Sequence, residues 1–246
     1  MRFKLTLEYD GRAFLGWQRV IHGASVQGVL EDAVEQLTGV RAEVVGAGRT
    51  DSGVHAMAQV AHVDIDKTVS TDRVRDGLNA LVRPHPVSVL SVKEAAPEFH
   101  ARFDAVRRVY LYSILNRRAP AALARGLVWC VSRALDVDAM HAAAQRLIGH
   151  HDFTTFRDSH CQAKSPVKTL DRLDVSRDGE TIRVWCEARS FLHRQVRSTV
   201  GTLVEVGLGK MSAQDVADAL AAADRTRCGP VAPSDGLYLL RVDYAK

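Results

Sequence analysis

The residues best equipped for chemistry lie in one run, Gly46-Ala47-Gly48-Arg49-Thr50-Asp51-Ser52-Gly53-Val54-His55-Ala56. It sets a guanidinium two residues before a carboxylate in a glycine-rich loop. Two nucleotide chemistries fail here. A dinucleotide fingerprint needs glycine where Asp51 stands, and a P-loop needs Lys-Ser or Lys-Thr after its glycine. Read from its residue type alone, Asp51 shapes or caps a turn. Asp158-Ser159-His160-Cys161 also strings together catalytic residue types, but triad members usually come from separate elements, so a polar loop is expected. Cys130, Cys161, Cys186 and Cys228 form no CxxC pair, which argues against a zinc site of ordinary spacing and against a disulfide framework. His150-His151 follow Gly149, a helix-ending signal, and are expected in a C-terminal cap region, not in a metal site.

The elements that must position these groups follow from periodicity. Phe3, Leu5, Leu7 and Tyr9 alternate as one face of a strand that stops at Asp10-Gly11. Ser25 caps a helix with Val26, Val29, Leu30, Ala33, Val34 and Leu37 on one side, ended by Gly39. Glu43-Val44-Val45 predicts a short strand, and Ala58 to Asp66 a longer one. Ser70 caps a second helix carrying Val74, Leu78 and Leu81, stopped by Pro84, and Val87 to Lys93 is the next strand. The order β-α-β-β-α-β is that of a split βαβ, ferredoxin-like unit.

The second half predicts the same order with a different sequence. Arg107 to Leu115 is a strand, Val137 to Ile148 a helix, and Leu173-Asp174-Val175 and Thr181 to Ala188 flank the hairpin signal Asp178-Gly179. Leu192 to Val206 is a helix with Leu192, Val196, Val200 and Leu203 aligned. Ser212 caps another through Leu220, and Leu237 to Val242 closes as a strand. The fold class expected is α+β: two tandem ferredoxin-like, RRM-like units with antiparallel sheets, helices on one face and an active-site cleft between the halves. The N-terminal domain takes residues 1–104 and the C-terminal domain 105–246, joined near Phe99 to Asp104.

Composition narrows the class. With 246 residues, 46% hydrophobic and 25% charged, the chain can bury a real core and is not wholly disordered. No apolar run approaches the roughly 20 residues of a membrane helix, so no membrane association is expected. The opening residues alternate like a strand and show no apolar signal core, which makes the cytoplasm the expected location. The net charge of +4 is mild. Its carriers include Arg107-Arg108, Arg117-Arg118, Arg194 and Arg197, and guanidinium forks suit phosphate. The bare face of such a sheet can also stack single-stranded bases on aromatic side chains.

Gly48-Arg49-Thr50-Asp51-Ser52-Gly53-Val54-His55-Ala56 resembles the signature of the bacterial tRNA pseudouridine synthase A family, which modifies positions 38 to 40 in the anticodon arm of tRNA. The likeness runs the length of the chain. Tyr9-Asp10-Gly11 with Gly16-Trp17-Gln18-Arg19 resembles the family's opening, and Phe99-His100-Ala101-Arg102-Phe103 its domain junction. Tyr110 and Tyr112, Asp152-Phe153-Thr154, Phe156, Cys161-Gln162-Ala163, Ser165-Pro166, Phe191-Leu192-His193 and Val196-Arg197 follow in the family's order.

The resemblance implies an isomerase that breaks uridine's N-glycosidic bond, turns the uracil over and rejoins it through C5. Such a reaction requires neither a redox equivalent nor a metal-bound water, so no cofactor and no metal are expected. Asp51 matches the family's essential aspartate, which attacks the sugar or the base or removes a C2′ proton. An ionised carboxylate in a dry cleft needs a cation beside it. Arg197 matches the family arginine in that role, with a solvated helix arginine as the plain alternative. Arg49 matches the arginine that helps extrude the target nucleotide, with a phosphate contact as the alternative. Tyr110 matches the tyrosine that lies against the flipped uracil, whereas Tyr112 is expected as a core aromatic. The family further implies a homodimer acting on the tRNA anticodon arm. The rival class is a non-catalytic RNA-binding protein, or a member with a different RNA target. Val109, Gln195 and Ser198 depart from the family's common polar residue, methionine and asparagine.

Overall fold

In a computed structural model, which describes residues 1–66 and 69–245, the alternation at the N-terminus forms β1, Arg2–Tyr9. Phe3, Leu5 and Leu7 are fully buried beneath it. The chain folds as two compact units, Met1–Val106 together with the segment from Tyr238, and Arg107–Leu237.

In the first unit, α1 (Val26–Thr38) begins at Ser25, whose hydroxyl accepts the Gly28 N–H, and ends at Gly39. That cap supplies a partner for one of the helix's orphan amides. β2 is only Val45–Gly46, one residue beyond the expected strand, and β3 runs His55–Asp64. α2 (Thr71–Leu81) starts at the Ser70 cap, and β4 is Val87–Ala95. β1 lies between β4 and β3, antiparallel to both, and β2 pairs antiparallel with β3. The inward side chains of β1 share the core with Leu30, Val34, Val74 and Leu78, all fully buried. This is the amphipathic pattern of α1 and α2 turned into packing.

The second unit starts its sheet with β5 (Ala105–Asn116), joined in parallel by β6 (Trp129–Val131), a strand too short to show alternation in the sequence. α3 covers Val137–Gln145, and β7 is Gly149–Asp152. The helix expected to reach Ile148 therefore stops earlier, and His150 and His151 belong to a strand, not to a helix cap. The segment's backbone groups find a full ladder on β8 (Val167–Asp178), with His150 opposite Thr169 and His151 opposite Lys168. β8 turns at Asp178-Gly179 into β9 (Thr181–Ala188), which pairs with β5, so the order is β5-β9-β8-β7. α4 is Gln195–Gly207 and α5 Ala213–Ala222, the latter opened by a Ser212–Asp215 capping box. α4 begins three residues later than expected because Arg194 is left-handed, with φ of 58°. β10, Leu237–Tyr244, returns to the first unit's sheet and lies parallel to β3, Tyr238 opposite His55. Among the described residues there are five α-helices, none long and apolar enough to cross a membrane.

Candidate active site

Asp51 stands in the loop between β2 and β3, and the chain's opening segment is built around that loop. Trp17 donates its backbone N–H to the Thr50 carbonyl at 3.0 Å, and the Tyr9 hydroxyl meets Thr50 Oγ1 at 2.9 Å. On the other side of Asp51, Ser52 Oγ and the Gly53 N–H both donate to the Phe14 carbonyl. Fully buried Gln59 donates from Nε2 to the Gly48 carbonyl at 2.7 Å. The residues flanking the carboxylate are thus tied to a buried aromatic base of Tyr9, Phe14 and Trp17. Burial pushes the Tyr9 phenol up to about 12, so it stays a neutral hydrogen-bonding group.

Two glycines make this fit possible. A Cβ on Gly11 would lie 2.1 Å from the Val54 carbonyl oxygen, and one on Gly16 2.7 Å from the Thr50 oxygen. Gly16 also has φ of 103°, a conformation other residues rarely adopt. The Gly11 N–H points to His55 Nδ1 at 3.1 Å. Asp10 Oδ1 approaches the same nitrogen at 3.3 Å, an ion pair when His55 is protonated. Asp10 is held chiefly by Arg12, whose guanidinium keeps the Asp10 carboxyl below its ordinary range. His55 stacks on Tyr238 with ring centroids 4.8 Å apart.

The second unit holds the other two candidates. Tyr110, on β5 opposite Cys186, is buried and meets Phe191 edge to face at 5.2 Å. Tyr112, two residues on, is fully buried and donates its hydroxyl to the Pro233 carbonyl at 2.8 Å, as a core aromatic should. Arg197, half-buried on α4, donates from Nε to the Ala232 carbonyl at 2.8 Å, and the Ala232 N–H returns a bond to the Arg197 carbonyl. Burial raises the Tyr112 hydroxyl's pKa, and the nearby Arg197 charge works against that rise. Gln195 uses its buried side chain to accept the Leu192 N–H at 2.8 Å, ahead of the first turn of α4. Ser198 is fully buried with no hydrogen-bond partner for its hydroxyl among the described residues.

Arg49 and Asp51 therefore share one loop of the first unit, Arg49 exposed and Asp51 half-buried, while Tyr110 and Arg197 belong to the second. The loop's supports, Gln59, Thr50 and Trp17, had no role assigned from sequence. A glutamine amid the apolar residues of β3 is the local signal for Gln59, and Thr50 and Trp17 lie inside the motifs quoted above. Among the described residues no group of three or more His, Cys, Asp or Glu side chains could hold a metal ion.

The sequence model of the tRNA pseudouridine synthases matches residues 6–104 and 143–245. The chain is 62% identical over 243 residues to the tRNA pseudouridine synthase A of Maricaulis maris, covering 99% of this chain and 98% of that protein. It is also 62% identical to the enzyme of that name from Rhodopseudomonas palustris and 60% to that of Afipia carboxidovorans, each over 99% of both chains.

Proposed function

The chain belongs to the tRNA pseudouridine synthase family and isomerises uridine to pseudouridine in tRNA; from that premise we propose that its targets are uridines 38, 39 and 40 of the anticodon stem-loop and that Asp51 is the reacting group. The N1–C1′ bond breaks, the uracil turns over, and a C5–C1′ bond forms. C5 then loses a proton and N1 gains one, so the product is an isomer. The observation that carries the assignment to Asp51 is the bonding on both sides of it. Thr50 and Gly53 are fixed to Trp17, Tyr9 and Phe14, so the carboxylate starts from a pre-positioned backbone. Pre-positioning of this kind lowers the entropic part of a barrier.

In this reading Arg197 is the cation that keeps Asp51 ionised, Tyr110 lies against the flipped uracil, and Arg49 fills the gap left in the stack. A stem base must leave its stack before chemistry, at a cost of about a few kcal/mol. The architecture is read as two tandem ferredoxin-like domains, residues 1–104 with the Asp51 loop and residues 105–246. The spatial order β4-β1-β3-β2 in the first sheet supports that reading for the N-terminal half. A homodimer working in the cytoplasm completes it.

The test is to incubate the pure protein with unmodified tRNA transcripts, without added cofactor, and to map pseudouridine at single-nucleotide resolution. Product confined to positions 38, 39 and 40 is the expected result. Product elsewhere in the tRNA overturns the target assignment while leaving the reaction intact.

A further inference from the structure

The Asp158-Ser159-His160-Cys161 segment is more than a polar loop. Asp158 is only 8% exposed, yet it has several cationic or amide neighbours. Its Oδ2 pairs with Arg194 Nη1 at 2.9 Å, and its Oδ1 accepts the His160 N–H at 2.9 Å. The His160 and His193 rings approach the same Oδ1 at 3.3 and 3.6 Å. The backbones are joined as well. The Asp158 N–H donates to the His193 carbonyl at 3.0 Å, and the His193 N–H points to Cys161 Sγ. Burial pushes the Asp158 carboxyl up, but the His160 amide and the Arg194 and His193 charges outweigh it and hold the group below its ordinary range. At neutral pH it is a carboxylate.

Its partner is conformationally unusual. Arg194 is the residue before α4, and its φ of 58° and ψ of 8° place a large side chain in the left-handed region without a side-chain cap on the helix. L-residues other than glycine, asparagine and aspartate visit that region at a steric cost, so something must hold Arg194 there. Three residues later is Arg197, and three earlier is Phe191, whose ring meets Tyr110.

We propose that Asp158 is a positioning residue for the isomerisation: its ion pair with Arg194 holds the left-handed entry into α4 and thereby sets Arg197 and, through Phe191, Tyr110. The proposal rests on the roles given above to Arg197 and Tyr110. A salt bridge that served stability alone would lower the melting temperature and leave turnover of the folded enzyme unchanged.

Three measurements on the intact chain separate these. Asp158→Ala should lower kcat at saturating tRNA by about 10- to 100-fold, the scale of a small displacement far from the bond being broken, with tRNA Kd changed by less than about threefold. Amide exchange should quicken at residues 195–198. Arg194→Gly added to Asp158→Ala should return kcat to within about threefold of wild type, because glycine adopts the left-handed conformation without support. If Asp158→Ala does not fold, Asp158→Asn, which keeps the shape and loses the charge, serves in both arms. Wild-type kcat in the folded single variant, or no recovery in the glycine double variant, overturns the proposal. Undiminished turnover in Arg197→Met would instead remove Arg197 from the reaction, and the exchange at 195–198 would then still report whether Asp158 fixes the helix.

Discussion

The two units fix their candidate residues by different means. In the first, the Asp51 loop is held by main chain: carbonyls of Thr50, Phe14 and Gly48 receive bonds, and glycines at 11 and 16 let backbones touch. In the second, Tyr110 meets the Phe191 ring edge to face, the Arg197 side chain bonds the Ala232 carbonyl, and a side-chain ion pair, Asp158–Arg194, precedes α4. A main-chain frame has few adjustable torsions, so it is stiff and intolerant of added atoms. A side-chain frame can repack, so losses there should be graded. The proposed reacting carboxylate, Asp51, sits in the stiffer frame.

The largest effect should come from the carboxylate itself. Asp51→Asn keeps the shape, and the loop's bonds are made by its neighbours, so folding and tRNA binding should survive. Turnover should fall by at least about 10³-fold, or roughly 4 kcal/mol in barrier. Single-turnover kinetics with a melting curve on the same sample would check this. Activity within tenfold of wild type would take Asp51 out of the mechanism.

Next in size is the glycine frame. Gly11→Ala pushes a methyl into the Val54 carbonyl, backbone that cannot rotate away. Overpacking of this kind costs about 1–3 kcal/mol, and here the relief must come from moving the Asp51 loop. Stability and kcat should therefore fall together. Stability lost with full kcat in the folded fraction would show that the loop is softer than its bonding indicates.

The same contrast explains what could be read from the sequence. Strands β1 and β9, helices α1, α2 and α5 and the turn at Asp178-Gly179 carry local signals, namely alternation, Ser caps and a turn dipeptide, and the structure contains each. The Asp51 loop carries a dense glycine motif, but from residue type alone Asp51 reads as a turn residue, and its candidacy comes from the family resemblance of that motif. The Asp158–Arg194 pair leaves no such motif. Its partners are far apart in sequence, and a left-handed arginine has no signature in residue type. The same holds for the first turn expected at Leu192, which the backbone of Arg194 removes, and for His150 and His151, whose strand depends on a partner in β8.

A third prediction tests the second unit's frame at Tyr110. Tyr110→Phe keeps the ring against Phe191, so tRNA affinity and stability should change little. If the phenol takes or relays the C5 proton, turnover should drop by about 10²-fold, the usual scale for a positioned acid or base. Full activity would reduce Tyr110 to a stacking surface.

The smallest effect should come two residues away, where the same substitution meets a different setting. Tyr112 is fully buried, and its hydroxyl donates to the Pro233 carbonyl. Burial raises its pKa, so the phenol stays neutral, and its O–H is already given to the Pro233 carbonyl. Tyr112→Phe deletes one hydrogen bond, to the carbonyl of a residue that is itself exposed and can turn to water, which costs about 0.5–1.5 kcal/mol of stability. A carbonyl oxygen has a second lone pair and can shift, so the lower end of that range is expected. Turnover should stay within about twofold of wild type, a barrier change under about 0.5 kcal/mol. Denaturant unfolding and saturating kinetics on Tyr110→Phe and Tyr112→Phe side by side check the pair. The expected pattern is crossed, with kcat lost at 110 and stability lost at 112. If Tyr112→Phe loses kcat as heavily as Tyr110→Phe, the strand acts as one packed unit, and the phenol of Tyr110 has no separate part in the chemistry.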